Sequence, residues 1–124
     1  SELSLQQVQH ALAREYGFRS WQDLLRHAAP LQPEDWPEEV RTLVDAGGRH
    51  ARWPVKRSRQ LIALQFVAEH FAPGVSYTEP QVNALLARYH SFGDPALLRR
   101  DLVGYKHLGR SRDGSRYWRP APTE

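Results

Sequence analysis

Residues 77–118 read YTEPQVNALLARYHSFGDPALLRRDLVGYKHLGRSRDGSRYW, and the punctuation of this stretch decides the fold. Thr78 precedes a helical pattern and Gln81 follows three residues later, the reciprocal arrangement of a capping box. Val82, Leu85, Leu86 and Tyr89 then fall on one helical stripe. After Phe92-Gly93, Asp94 offers a carboxylate to cap a further helix, and Pro95 stands where a missing N–H does no harm. That helix, read over 94–106, buries Leu98, Leu102 and Tyr105. It turns Ala96, Arg99, Val103 and Lys106 outward, with Arg100 on the flank. Asp113-Gly114 is a strong two-residue hairpin signal for a type I′ turn with φ > 0 at both residues, and it pairs Gly109 with Trp118 and Arg110 with Tyr117.

Working outward, Val75-Ser76-Tyr77 is a short strand. Lys56 onward is a helix apolar on more than one side, with Leu61, Ile62, Leu64, Phe66, Val67 and Phe71 ahead of the Pro73-Gly74 stop. Helix, short strand, helix, helix, hairpin is the order of a winged helix-turn-helix domain. The expected class is therefore mainly α with a small β-hairpin (α+β), with that domain over 55–120. Upstream, 1–30 reads as a helical hairpin. Ser4 caps a helix carrying Leu5, Val8, Leu12 and Tyr16, Gly17 ends it, and Ser20 with Asp23 opens a second helix carrying Trp21, Leu24 and Leu25. Residues 31–54 form a linker with a short helix that begins at Trp36-Pro37-Glu38-Glu39, runs through Leu43 and Val44 and ends at Gly47-Gly48; 49–54 is a loop.

Charge divides the chain. Residues 1–49 carry five arginines against eight acids, a net of −3, whereas 50–124 carry twelve basic against six acidic residues, a net of +6. Such asymmetry points the basic half toward a polyanion. Arginine outnumbers lysine fifteen to two, which favours bidentate phosphate and guanine contacts. With no cysteine, disulfides and thiolate zinc sites are excluded, and a reducing cytoplasm is the expected compartment. No run of about 18 apolar residues offers a membrane span, and nothing at the N-terminus reads as a signal peptide. The chain begins at Ser1 and has no methionine, so either an initiator was trimmed or the chain is a fragment.

Three spaced motifs, Tyr77-Thr78-Glu79 with Val82-Asn83, Leu98-Arg99-Arg100 with Leu102-Val103, and Asp113-Gly114 with Tyr117-Trp118, carry a resemblance. Over roughly Trp53 to Pro120 the chain resembles a bacterial family known only as a domain of unknown function, found alone or behind the DNA-binding domain of small transcriptional regulators. The resemblance implies a winged-helix-like fold and a regulatory setting, and no ligand. A second resemblance covers Leu5 to His27, where Gln9, Ala13 to Phe18 and Ser20-Trp21 look like a short motif found beside ankyrin repeats in bacterial proteins.

The expected function is DNA binding by a bacterial transcriptional regulator, with duplex DNA held by Arg99, Arg100 and Lys106 of the third helix and by Arg110, Arg112 and Arg116 of the hairpin, or wing. Against this stand solvated charge, a structural bridge from Arg99 or Arg100 to Asp101 or Glu79, and edge protection by the hairpin arginines. Arg52, Lys56, Arg57 and Arg59 read as a solvated helix end. A homodimer is expected because two-fold operators need two copies. Trp21 and Trp36, read as exposed apolar residues, are candidates for that interface or for a protein partner. One alternative is an interaction module on a winged-helix scaffold that docks its partner through the N-terminal helices. Another is RNA or single-strand binding, which needs Tyr77, Tyr117 or Trp118 exposed rather than in the core. The six histidines show no HExxH or i, i+4 ligand spacing and read as scattered surface residues, so no metal and no cofactor is expected. No nucleophile elbow, phosphate loop or paired carboxylates point to an enzyme. Asn83 reads as a buried tie between helix and strand.

Overall fold

Thr78 begins its helix as a capping box requires. In the computed structural model, which describes residues 18–120 together with Leu5 and Gln9, Thr78 Oγ1 accepts from the Gln81 N–H at 3.3 Å, while Gln81 Oε1 accepts from the Thr78 N–H at 2.8 Å. Over residues 18–120 the α-helices are, in chain order, α1 (Phe18–Arg26), α2 (Arg57–Glu69), α3 (Glu79–Leu86) and α4 (Pro95–Gly104). Three two-residue strands, β1 (Ser76–Tyr77), β2 (Gly109–Arg110) and β3 (Tyr117–Trp118), form one antiparallel sheet in the order β1-β3-β2. The protein is thus mainly helical with a small sheet, and from α2 onward its order is helix, strand, helix, helix, hairpin. Among the described residues, no helix is long and apolar enough to cross a membrane.

The hairpin register is the expected one: Gly109 opposes Trp118 and Arg110 opposes Tyr117. The turn differs. Only Gly114 has positive φ, at 75°, and the Gly114 N–H donates to Ser111 O at 3.0 Å, so four residues rather than two make the loop. Asp113 explains the change: its Oδ1 accepts from the Ser115 N–H, the Ser115 hydroxyl and the Ser111 hydroxyl at 2.7–3.0 Å. The carboxylate organises the loop locally and leaves αL geometry to the glycine.

Several expectations for the first half are corrected. The proposed first helix with its Ser4 cap and Gly17 stop lies outside the described residues, Leu5 and Gln9 apart. Ser20 is not a cap, because α1 already includes it. The helix expected through Val44 is a 3-10 helix over Glu38–Leu43, preceded by another at Pro33–Asp35. It stops because Val44 takes extended geometry and pairs across an isolated bridge with His50, while Asp45 Oδ1 gathers the N–H groups of Gly47 and Arg49 into a turn.

Trp21 and Trp36 are not exposed. Both are fully buried, in a single hydrophobic core that also takes Leu64, Phe66, Val67, Phe71, Tyr77, Leu85, Leu98, Leu102 and Tyr117. Trp21 meets the edge of Tyr77 at 6.1 Å, and Trp36 lies 4.4 Å from Phe66 while its indole N–H donates to Gly48 O at 2.8 Å. The physical reason is that α2 and α3 present more apolar surface than the small sheet can cover, and the tryptophans bring large area to that gap. Gln9, also fully buried, accepts from the Ala72 N–H at 2.7 Å and from the Tyr77 hydroxyl, and donates to His70 O at 2.5 Å. Segments 1–30, 31–54 and 55–120 therefore all contribute to one core.

The histidines are not all superficial either. His90 is buried, and His50 is fully so, 4.3 Å from Trp36, with neither ring nitrogen in a hydrogen bond. Its backbone is what holds it inside: the N–H donates to Tyr89 O at 2.8 Å and the carbonyl accepts from the Ser91 N–H at 2.9 Å.

Candidate nucleic-acid interface

Helix α4 is set by Asp94, whose Oδ1 accepts from the Leu97 N–H at 3.1 Å, with Pro95 in its first turn. Leu98 and Leu102 are fully buried, whereas Tyr105 and Val103 are half-buried at the margin of the core. Tyr105 and Val103 therefore share the rim instead of dividing cleanly into inside and outside. The helix ends at Gly104, two residues short of its expected end. Tyr105 caps it, and Lys106 sits beyond it with φ at 64°. The Lys106 N–H donates to Val103 O at 3.0 Å and the His107 N–H to Leu102 O at 2.8 Å, the paired bonds of a Schellman close. Lys106 is thus not on the helix face. It occupies the left-handed position that glycine usually fills, and its exposed side chain lies between α4 and β2.

Arg99 does not face freely outward. Its guanidinium pairs with Glu79 at 3.3 Å and donates to Asn83 Oδ1, and its side chain is only 20% exposed. Both partners are on α3, so Asn83 ties helix to helix, not helix to strand. The cause is position: Arg99 follows the buried Leu98 and faces the neighbouring helix. Arg100, one residue on, is exposed. Arg112 and Arg116 are exposed on the hairpin, as is Arg110, whose guanidinium folds along it so that a Cβ at Gly114 would fall 2.6 Å from Nη2.

Alternation along the strands divides the hairpin into two faces. Tyr117 and Tyr77 point into the core; Trp118 points out, 39% exposed. Its indole lies so close to Gly109 that a Cβ there would be 2.3 Å from the ring, so glycine is what lets the ring lie flat on the hairpin. Two acidic or titratable neighbours matter to the charge. Hydrogen bonds from Ser115, then Ser111, hold the Asp113 carboxyl down at about 2, so the loop keeps one anion among its arginines. Burial lowers His107 below its ordinary value and favours its neutral form.

Arg57, expected as part of a solvated helix end, is instead engaged with an aromatic ring. Arg57, at the start of α2, stands 5.5 Å above the Tyr105 ring, a cation–π contact that brings the start of α2 against the end of α4. Nothing in residue spacing announces a contact between positions 57 and 105. Arg119, by contrast, donates to Glu69 O and Phe71 O and closes the end of α2. Among the described residues, no three His, Asp or Glu side chains are grouped to hold a metal ion.

Neither the curated proteins nor the solved structures include one that matches this chain. The family model described as an uncharacterized protein conserved in bacteria (DUF2087) matches residues 49–119, the span of α2 to β3 and close to the stretch that carries the three motifs. That match covers more than half of the 124 residues, and the chain belongs to this family of bacterial proteins.

Proposed function

We propose that this protein binds duplex DNA through the end of α4 and the β2–β3 hairpin, as a winged helix-turn-helix regulator does. The observation that carries the reading is the run from Arg100 to Arg116. Arg100, Lys106, Arg110, Arg112 and Arg116 are all exposed, and none forms an ion pair among the described residues. Five cations concentrated on one helix end and one hairpin, against the single Asp113 carboxylate of the loop, suit phosphate contact, with arginine able to read guanine edges as well. Arg57 extends the same cationic ground from α2. Arg99 has the supporting role of fixing α4 on α3. A regulator reading a two-fold site would act as a homodimer.

The test compares fluorescence anisotropy of a labelled duplex with the wild-type chain and with the Arg100→Ala/Arg112→Ala/Arg116→Ala variant. The reading expects saturable binding that the variant loses, with unchanged circular dichroism. Absence of binding at micromolar protein and low salt overturns it.

A second reading, single-strand or RNA binding, is favoured by one observation: Trp118 is an exposed flat ring beside basic side chains, which suits base stacking. Tyr77 and Tyr117 are buried and take no part in it. The interaction-module reading loses its anchors with the burial of Trp21 and Trp36.

A further inference from the structure

Away from the hairpin, a cavity of about 210 Å³ opens where the end of α1 meets Arg88, two residues past α3, and the 47–49 turn. Three guanidinium-bearing side chains line it, Arg26, Arg49 and Arg88, with Leu25, Ala28 and Leu31 among its apolar walls, and among the described residues no carboxylate contributes to the lining. The charges come from three separate segments, so this is not the solvated face of one helix.

Arg88 is the fixed member. Its Nη2 donates to Ala29 O at 2.8 Å and its Nη1 to Leu25 O at 3.3 Å, while its Nε is buried without a hydrogen-bond partner. A half-buried guanidinium that meets two carbonyls and, among the described residues, no carboxylate carries a desolvation cost that no countercharge offsets. The other two are exposed and adjustable: Arg26 has only a surface pairing with Asp23 at 3.3 Å, and Arg49 forms no ion pair among the described residues. Asp45, the acid nearest Arg49 in sequence, is engaged by the Gly47 and Arg49 N–H groups and by the Ser91 hydroxyl.

We propose that this cavity is a binding site for a small organic oxyanion, a phosphate or carboxylate carried on a short apolar body. The three arginines take the oxyanion and the Leu25, Ala28 and Leu31 wall takes the body. The volume falls below the roughly 300 Å³ at which pockets for drug-sized ligands begin, so the ligand is small. Anion binding there supplies the countercharge that the described residues do not give Arg88, and joins the end of α1 to the chain leaving α3. The site stands apart from the nucleic-acid reading and does not depend on it.

Calorimetric titration of the full chain with phenyl phosphate and with benzoate, at constant ionic strength, tests the proposal and separates phosphate from carboxylate. Saturable binding of at least one probe is expected, weakened about tenfold or more by Arg49→Gln, since a charge-assisted hydrogen bond is worth about that factor. Arg26→Gln weakens it further, and duplex affinity in both variants stays at the wild-type value. Both residues are exposed, so neither change threatens folding. Saturation by neither probe at millimolar concentration, or binding that Arg49→Gln leaves unchanged, overturns the proposal. So does a loss of duplex affinity in these variants without a change in probe binding, because the arginines would then serve DNA phosphates.

Discussion

Arg99 of α4 reaches back to Glu79 in the first turn of α3, at 3.3 Å, and so pins the helix that the proposal places on DNA. Its neighbour Arg100 makes no such contact and is exposed. The two arginines should separate cleanly in experiment. Arg99→Ala is expected to cost about 1–2 kcal/mol in urea unfolding, because it frees a half-buried carboxamide and a carboxylate at once. Arg100→Ala should leave the unfolding midpoint unchanged and weaken duplex binding. Equal stability loss in both variants would show that the Arg99 bridge is not what positions α4.

Lys106 holds φ at 64° where glycine closes helices without strain. An L-residue pays roughly 1 kcal/mol for that conformation, so Lys106→Gly is expected to raise stability by about that amount. The same change removes a cation from the proposed interface and should weaken duplex binding. A variant both more stable and weaker on DNA is the predicted combination, read by denaturant unfolding and anisotropy. Unchanged DNA affinity would remove Lys106 from the interface.

Burial pushes the His50 imidazole down to about 4 from an ordinary 6.5. The folded state therefore favours the neutral ring, while the unfolded chain takes up a proton below pH 6.5. Stability from this residue is complete above 6.5, falls as pH drops, and stops falling below about 4, where the folded ring is also protonated. Between pH 7.5 and 4.5 the loss from His50 alone should be roughly 2–3 kcal/mol. His50→Leu, which removes a ring with no hydrogen bonds to lose, should flatten that part of the profile. A variant with the wild-type slope would place the acid sensitivity elsewhere.

The Trp118 ring depends on Gly109 for its position. Gly109→Ala should turn the ring out into solvent and increase acrylamide quenching, with a stability cost near 1 kcal/mol because the displaced group is a partly exposed side chain free to move. If single strands bind by stacking, an oligonucleotide quenches emission in the wild type and not in Trp118→Phe. Trp21 and Trp36, being buried, contribute little to either signal, and the half-buried Trp53 sets the emission that remains in Trp118→Phe.

Local chemistry was legible in the sequence and long-range packing was not. Thr78-Gln81, Asp94-Pro95 and Asp113-Gly114 each act within a few residues, and so α3, α4 and the hairpin register followed from them. Where several bonds competed, prediction slipped: at the hairpin loop Asp113 gathers both serines, and at Lys106 the paired closing bonds end α4 early. Burial of Trp21, Trp36 and His50 depends on what α2 and α3 leave uncovered, which no window of sequence contains. The candidate interface divides the same way. Arg112 and Arg116 are exposed as patterning implies, whereas Arg100, expected on the flank, is exposed in place of Arg99, and the Arg99 bridge and the Arg57–Tyr105 contact arise from tertiary placement.

Contact of the exposed cations around the end of α4 and on the hairpin with DNA phosphates is read by counterion release. Duplex affinity of the wild type should be determined across a salt series beside the Arg100→Ala/Arg112→Ala/Arg116→Ala variant. Five phosphate contacts predict a slope of log Kobs against log salt of about −4.5, falling to about −2 in the variant. A slope near zero, or one that the three substitutions leave unchanged, would rule out DNA binding by these cations.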